Sequence, residues 1–167
     1  MAELTRKLVM SIMSQAEGGN PNLACLDLSG LDLTGVNLRG ADFTAANLTG
    51  ADLSGVDFSR NPQTESAARF IRANLTGANL SKAQLSGVSM AGADLTQADL
   101  RGANLTDANL TPEGMNAAKL RGANLSGANL TGANFTAADL TGADLTGAIL
   151  KDTVFYRAKM DDVKGLK

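Results

Sequence analysis

Histidine and tryptophan are missing altogether, and 167 residues hold one cysteine and one tyrosine. Acid–base and nucleophilic catalysis need groups of tuned pKa brought together, so this inventory argues against an enzyme and no catalytic residue is assigned. Cys25 has no intramolecular disulfide partner; at the fifth place of its unit it reads as a turn residue, and a reducing compartment suits it. The aspartates are separated by turn residues and do not follow a nine-residue calcium pattern, so no metal or cofactor is expected. Long apolar runs are lacking too. The longest near the start is Leu8 to Met10, well short of the roughly 20 residues of a membrane span or the roughly 7 of a signal peptide. No membrane contact is expected, and a cytoplasmic location is. Charge of one sign is also scarce: the formal net charge is −2, which argues against direct nucleic-acid binding. Aromatics make up only 4%, where a compact globule wants bulkier filling.

What is abundant is a period. From Pro21 the chain divides into fives centred on Leu23, Leu28, Leu33, Leu38, Phe43, Leu48, Leu53 and Phe58. It resumes at Phe70 and continues to Met160, giving 8 units before the break and 19 after it. The best-formed unit is Ala-Asp/Asn-Leu-Ser/Thr-Gly, as in Ala51 to Gly55 and Ala143 to Gly147. In extended chain, residues two apart share a face, so Ala and Leu point inward and the Asp or Asn between them points out. The fifth position is Gly in 14 units. A type II turn needs positive φ at its second central residue, which Gly meets without strain. Each unit therefore reads as a very short strand and a right-angle corner. Four corners close a square, and nearly seven coils would stack to roughly 32 Å at parallel-strand spacing. A leucine at every fifth place fits neither a 3.6-residue helix nor an alternating strand.

This Ala-Asp/Asn-Leu-x-x run, over residues 21 to about 162, resembles the pentapeptide-repeat family. The resemblance implies an all-β solenoid, a right-handed four-sided parallel β-helix. It is much less specific for function. Some members of the family bind type II topoisomerases as mimics of duplex DNA, and others are tied to cyanobacterial regulation. The reading taken here is a non-enzymatic structural or protein-interaction scaffold of bacterial or cyanobacterial kind, with an unnamed protein partner. The alternative is a DNA-mimicking modulator of gyrase.

The departures from the code carry the remaining expectations. Residues 1–20 read as a capping helix and linker: Leu4, Leu8 and Ile12 form a stripe widened by Val9 and Met13, from about Ala2 to Gln15, and Gly18, Gly19 and Pro21 end it. Leu26, Leu31 and Val36 replace Ala where a helix would press on the first coil. Residues 21–162 form the repeat domain. Phe58 to Phe70 is 12 residues, not a multiple of five, so residues 61–67 should leave the wall as a loop, with Phe43 then stacked under Phe70. Arg60, Asn61, Gln63, Glu65, Arg69 and Arg72 make this the candidate interaction loop. Thr111 to Ala117 keeps the five-residue register but puts Pro112 at a corner, where proline cannot take positive φ, so that coil should bulge. Kept in register, it would stack Asn79, Asp99, Lys119, Asp139 and Lys159 in a column of alternating sign, a poor imitation of duplex charge. Residues 163–167 read as a tail. Apolar Phe155, Tyr156, Val163 and Leu166 beside an unpaired edge point to a tail folding back or to a homodimer through the C-terminal end.

Overall fold

The computed structural model describes residues 6–166, and the part of the expected helix from Ala2 to Thr5 lies outside them. Helix α1, Arg6–Gln15, is the only helix among the described residues. Everything after it is a four-sided coil, right-handed as in the family it resembles. Each wall is so short that it pairs with the next coil through a single parallel bridge rather than a ladder.

The bridges sort the outward residues into four faces. Face 1 carries Asn22, Asp42, Arg69, Ser89, Asn109, Asn134 and Val154, and face 2 carries Asp27, Asn47, Asn74, Asp94, Lys119, Asp139 and Lys159. Face 3 carries Asp32, Asp52, Asn79, Asp99, Asn124, Asp144 and Lys164. Face 4 runs from Asp57 through Gln84, Asn104 and Asn129 to Ile149. Three faces thus have seven rungs, which makes nearly seven coils. Inside, the central residues from Leu23 to Leu145, Met115 excepted, are almost fully buried, each worth about 1.5–3 kcal/mol on enclosure.

The corners explain the unit. At the uninterrupted corners the N–H after the corner bonds back to the central residue's carbonyl, as Ala41 to Leu38 at 3.1 Å, and the fifth residue takes positive φ. The Asp or Asn does more than face water. Its Oδ1 accepts the backbone N–H two residues on, and commonly the Thr hydroxyl as well: Thr44 N–H at 2.9 Å and Oγ1 at 2.6 Å to Asp42. Asp and Asn favour such turns because the short side chain can satisfy the backbone locally.

Both interruptions leave from corners. Across residues 61–67 the bridge spacing rises from 20 to 27, as in Asp42 to Arg69, and Phe43 stacks under Phe70 at 4.8 Å with rings 4° apart. The second interruption corrects the expected register. Residues 112–117 build no wall: Glu113 and Asn116 pair antiparallel, and Lys119 sits over Asp94, 25 residues away. Pro112 cannot turn this corner, so the whole unit swings out as a two-residue hairpin. Every later face is rotated by one wall, and Asp99 lies beneath Asn124, not Lys119.

The two ends differ. At the start, Val9 is buried, Ile12 and Met13 pack on the core beside Leu26 and Leu31, and Leu8 is exposed, so the inner stripe lies a step away from Leu4–Leu8–Ile12. Arg6 donates to the carbonyls of Thr34 at 2.8 Å and Asp32 at 3.2 Å. Glu17 and Gly18 at positive φ turn the chain off the helix. At the other end the expected tail extends the wall instead: Lys164 N–H bonds Ala143 O, and Leu145 N–H bonds Lys164 O, both at 2.9 Å.

Candidate interaction site at the loop and the open end

The 61–67 loop leaves the corner between faces 4 and 1 and turns toward the linker below. Asn61 N–H bonds Ser66 O at 2.9 Å and Glu65 N–H bonds Asn61 O at 2.8 Å, closing the loop on itself. The Asn61 side chain is buried; its Nδ2 donates to the carbonyls of Gly18 at 3.2 Å and Gly19 at 3.1 Å, while Oδ1 accepts Gln63 N–H at 2.9 Å. Thr64 Oγ1 donates to Asn20 Oδ1 at 2.6 Å. These bonds fasten the linker after α1 to the second coil. Gly40 makes the fit possible: a Cβ there would press on Asn20 Oδ1, on Asn61 Cβ at 2.8 Å and on Ser66 O at 2.9 Å.

Of the expected loop residues, Arg60, Gln63 and Glu65 are exposed on this loop, whereas Asn61 faces inward as a latch. Arg69 stands on face 1, where it pairs with Asp42 one coil below. Burial raises the Asp42 pKa, but the Thr44 hydroxyl and Arg69 outweigh it and hold the carboxyl below its usual value. Arg72 is one wall away, at the corner between faces 1 and 2. On the loop's other flank, Arg39 bonds Asp57 at 2.8 and 2.5 Å, and Asp57 is lowered despite its burial by Ser59 and Arg39. Clefts of about 190, 340 and 430 Å³, of mixed polar and apolar lining, surround the loop's foot. Among the described residues, no cluster of His, Cys, Asp or Glu could hold a metal ion, and no helix is long and apolar enough to cross a membrane. Cys25 is exposed at a corner with φ 61°.

The second candidate is the last coil. One coil down, the N–H groups of Leu130, Phe135 and Leu140 bond upward at 2.8–2.9 Å; those of Leu150, Phe155 and Met160 have no such bond among the described residues. The same three side chains are only half-buried, and Ile149, Val154, Tyr156 and Leu166 are exposed. Lys151, Asp152, Arg157, Lys159, Asp161, Asp162 and Lys164 mix both signs in and around this coil. The site is an open sheet edge with an apolar centre and a mixed-charge rim. Periodicity located it; the latch at Asn61 left no periodic trace.

This geometry defines a class, the quadrilateral solenoids with five-residue walls. The model of the family described as pentapeptide repeats matches residues 22–60, 68–107 and 115–152, and the chain belongs to that family. A solved structure of HetL, a pentapeptide repeat protein involved in heterocyst differentiation regulation in the cyanobacterium Nostoc sp. strain PCC 7120, is 32% identical. It has a TM-score of 0.54 over 87% of this chain and 70% of its own. Rfr23, a pentapeptide repeat protein from the cyanobacterium Cyanothece 51142, is 30% identical with a TM-score of 0.57, over 77% and 90%. QnrB1, a plasmid-mediated fluoroquinolone resistance protein, is a distant likeness at 20% identity and a TM-score of 0.29. No curated protein matches the chain.

Proposed function

We propose that this chain is a non-enzymatic scaffold of a reducing, cytoplasmic compartment that docks protein end-on, with a second copy of itself as occupant of the C-terminal end. The observation that carries the reading is the difference between the ends: α1 covers the first coil, while the last leaves Leu150, Phe155 and Met160 half-buried beside unbonded N–H groups. Natural sheets rarely leave such an edge in water. A covered start prevents head-to-tail stacking, so a closed two-fold pair is the assembly left. The mixed-sign rim suits self-pairing, since each basic group can meet an acidic one. Description of HetL as involved in regulating differentiation supports a role exercised through contacts rather than turnover. Sedimentation of the full chain over a wide concentration range, beside Phe155→Lys, tests this. A dimer that Phe155→Lys abolishes while circular dichroism stays unchanged supports it, and a monomer at every concentration overturns it.

A second reading, modulation of a type II topoisomerase through duplex-like charge, gains from the corrected register. Face 3 stacks Asp32, Asp52, Asp99 and Asp144 with no cation until Lys164. Yet Arg6 pairs with Asp32 and Arg101 with Asp99, leaving a column far sparser than duplex DNA, with its charge about every 1.7 Å. Failure to alter supercoiling by purified gyrase would remove this reading.

A further inference from the structure

The corner between faces 1 and 2 is unlike the other three. Elsewhere, through the sixth coil, the residue after the central Leu or Phe is Ser, Thr or a charged residue; here Thr44, Thr111 and Thr136 keep to that rule, but Ala24, Ile71 and Ala91 break it, and Tyr156 follows in the seventh coil. The fifth position is Gly only at Gly92. Cys25, Ala45, Arg72, Ala137 and Arg157 hold positive φ there, between 56° and 61°. A non-glycine residue is strained in this left-handed region, so side chains are kept on this corner against backbone strain.

The hairpin of residues 112–117 projects from the same corner. Glu113 N–H bonds Asn116 O at 2.8 Å and Asn116 N–H bonds Glu113 O at 3.1 Å, with Gly114 at φ 60° as the first central residue. That is the residue and sign a two-residue II′ hairpin demands. The hairpin is seated on Gly92, whose missing Cβ would lie 3.0 Å from both Asn116 O and Glu113 Cβ. At its tip Met115 is 103% exposed, so packing within the chain gives no reason for a large apolar side chain there. At the parallel-strand spacing of about 4.8 Å per coil, Arg72, Met115 and Tyr156–Arg157 lie along a ridge of roughly 20 Å.

Charge selects the occupant. Arg72 and Arg157 make no ion pair among the described residues, and the Arg157 guanidinium stacks 5.1 Å over the Tyr156 ring. Carboxylates on the adjoining faces are mostly answered: Asp42 by Arg69, Asp94 by Lys119 at 2.9 Å, and Asp139 by the nearby charges of Lys159 and Arg121. Asp27 stands in the first coil below the ridge, and Glu113 is the one acid on the hairpin.

We infer that this ridge is a second, lateral docking surface, for an acidic protein segment whose apolar side chain seats against Met115 and Tyr156 and whose carboxylates meet Arg72 and Arg157. Exposed methionine is a polarizable, adaptable contact, and aromatic and Arg side chains are the usual anchors of protein interfaces. The proposal rests on the scaffold reading; because Tyr156 and Arg157 also stand at the rim of the last coil, each variant's sedimentation is read beside its peptide binding, so that loss of the end-on pair and loss of the ridge are told apart. The test is selection of a random peptide library displayed on phage against the immobilised full chain, followed by anisotropy titration of the enriched peptides. Expected are peptides combining Asp or Glu with a large apolar residue, bound at least about tenfold more weakly by Met115→Ser and by Arg72→Gln/Arg157→Gln. Ser126→Ala, at the opposite corner, should bind as the parent does. No enrichment, enriched peptides without acidic residues, or binding indifferent to Met115→Ser overturns the proposal. Loss of self-association on Met115→Ser also overturns it, because the ridge would then belong to a second copy.

Discussion

The two interruptions of the repeat leave the same kind of corner and come to opposite uses. Residues 61–67 turn inward along the solenoid, bury Asn61 and bond the linker at Gly18 and Gly19. Residues 112–117 turn outward, bond chiefly to themselves and leave Met115 in water. One interruption completes the fold; the other adds a surface to it. A polar side chain is buried in the loop and an apolar one exposed in the hairpin, which inverts the usual placement in both. An inserted segment in a regular solenoid is therefore better classified by what its side chains are bonded to than by its length.

The largest effect should come from placing one methyl group under each interruption. Gly40→Ala combines left-handed backbone strain of about 1–2 kcal/mol with crowding of about 1–3 kcal/mol against Asn61 and Ser66, and should lower the melting temperature most. Gly92→Ala meets the hairpin at 3.0 Å and should cost less, because the hairpin can lift; equal losses would erase the distinction between latch and appendage. Next, Asn61→Ala should cost about 1–3 kcal/mol by stranding the two linker carbonyls, and hydrogen exchange should quicken in α1. Unchanged exchange in α1 would show that the loop does not hold the cap.

Acid should act more weakly and regionally. In the first two coils the Ser29 and Thr34 hydroxyls lower Asp27 and Asp32, and Asp42 and Asp57 are lowered despite burial. A carboxylate with a depressed folded pKa contributes stability above its unfolded value of 3.8, and that stability is lost as pH falls through the folded value. Asn104, Asn109, Asn124 and Asn129 make the same turn bonds without titrating. Hydrogen exchange at falling pH should loosen the coils next to the 61–67 loop before those Asn-capped walls; uniform loosening would contradict this. The smallest effect belongs to Met115→Ser, expected within about 0.5 kcal/mol of the parent on thermal melting.

The wall, the corner and the inward Leu were legible because each repeats often enough for one physical cause to show. The 61–67 loop was legible for a related reason: 12 residues from Phe58 to Phe70 break a period of five. The hairpin was hidden because its excess is five residues, which leaves Met115 in step with Leu110 and Leu120 while it stands outside the wall. Pro112 was the signal available, and it told of a bulge but not of a lost wall. That loss moved every later column and turned an alternating stack into the acidic face through Asp52, Asp99 and Asp144. The Asp and Asn bonds to the corner N–H groups were missed because an outward polar residue in extended chain reads as simple solvation. The latch at Asn61 depends on a contact 43 residues away, which no local pattern carries.

Because both interruptions depart at corners, this solenoid keeps its phase by counting turns, not residues. Seven extra residues at one corner and five at another leave the bridges above and below in strict order. Foreign sequence of any length could be displayed at an open corner such as Gly30 or Gly127, where a Cβ meets nothing within 4 Å, without rotating a single face. A residue added inside a wall would instead exchange its inward and outward side chains. The fold is thus a rack with addressable positions: height is set by the coil, azimuth by the corner, and the inserted segment is free to vary.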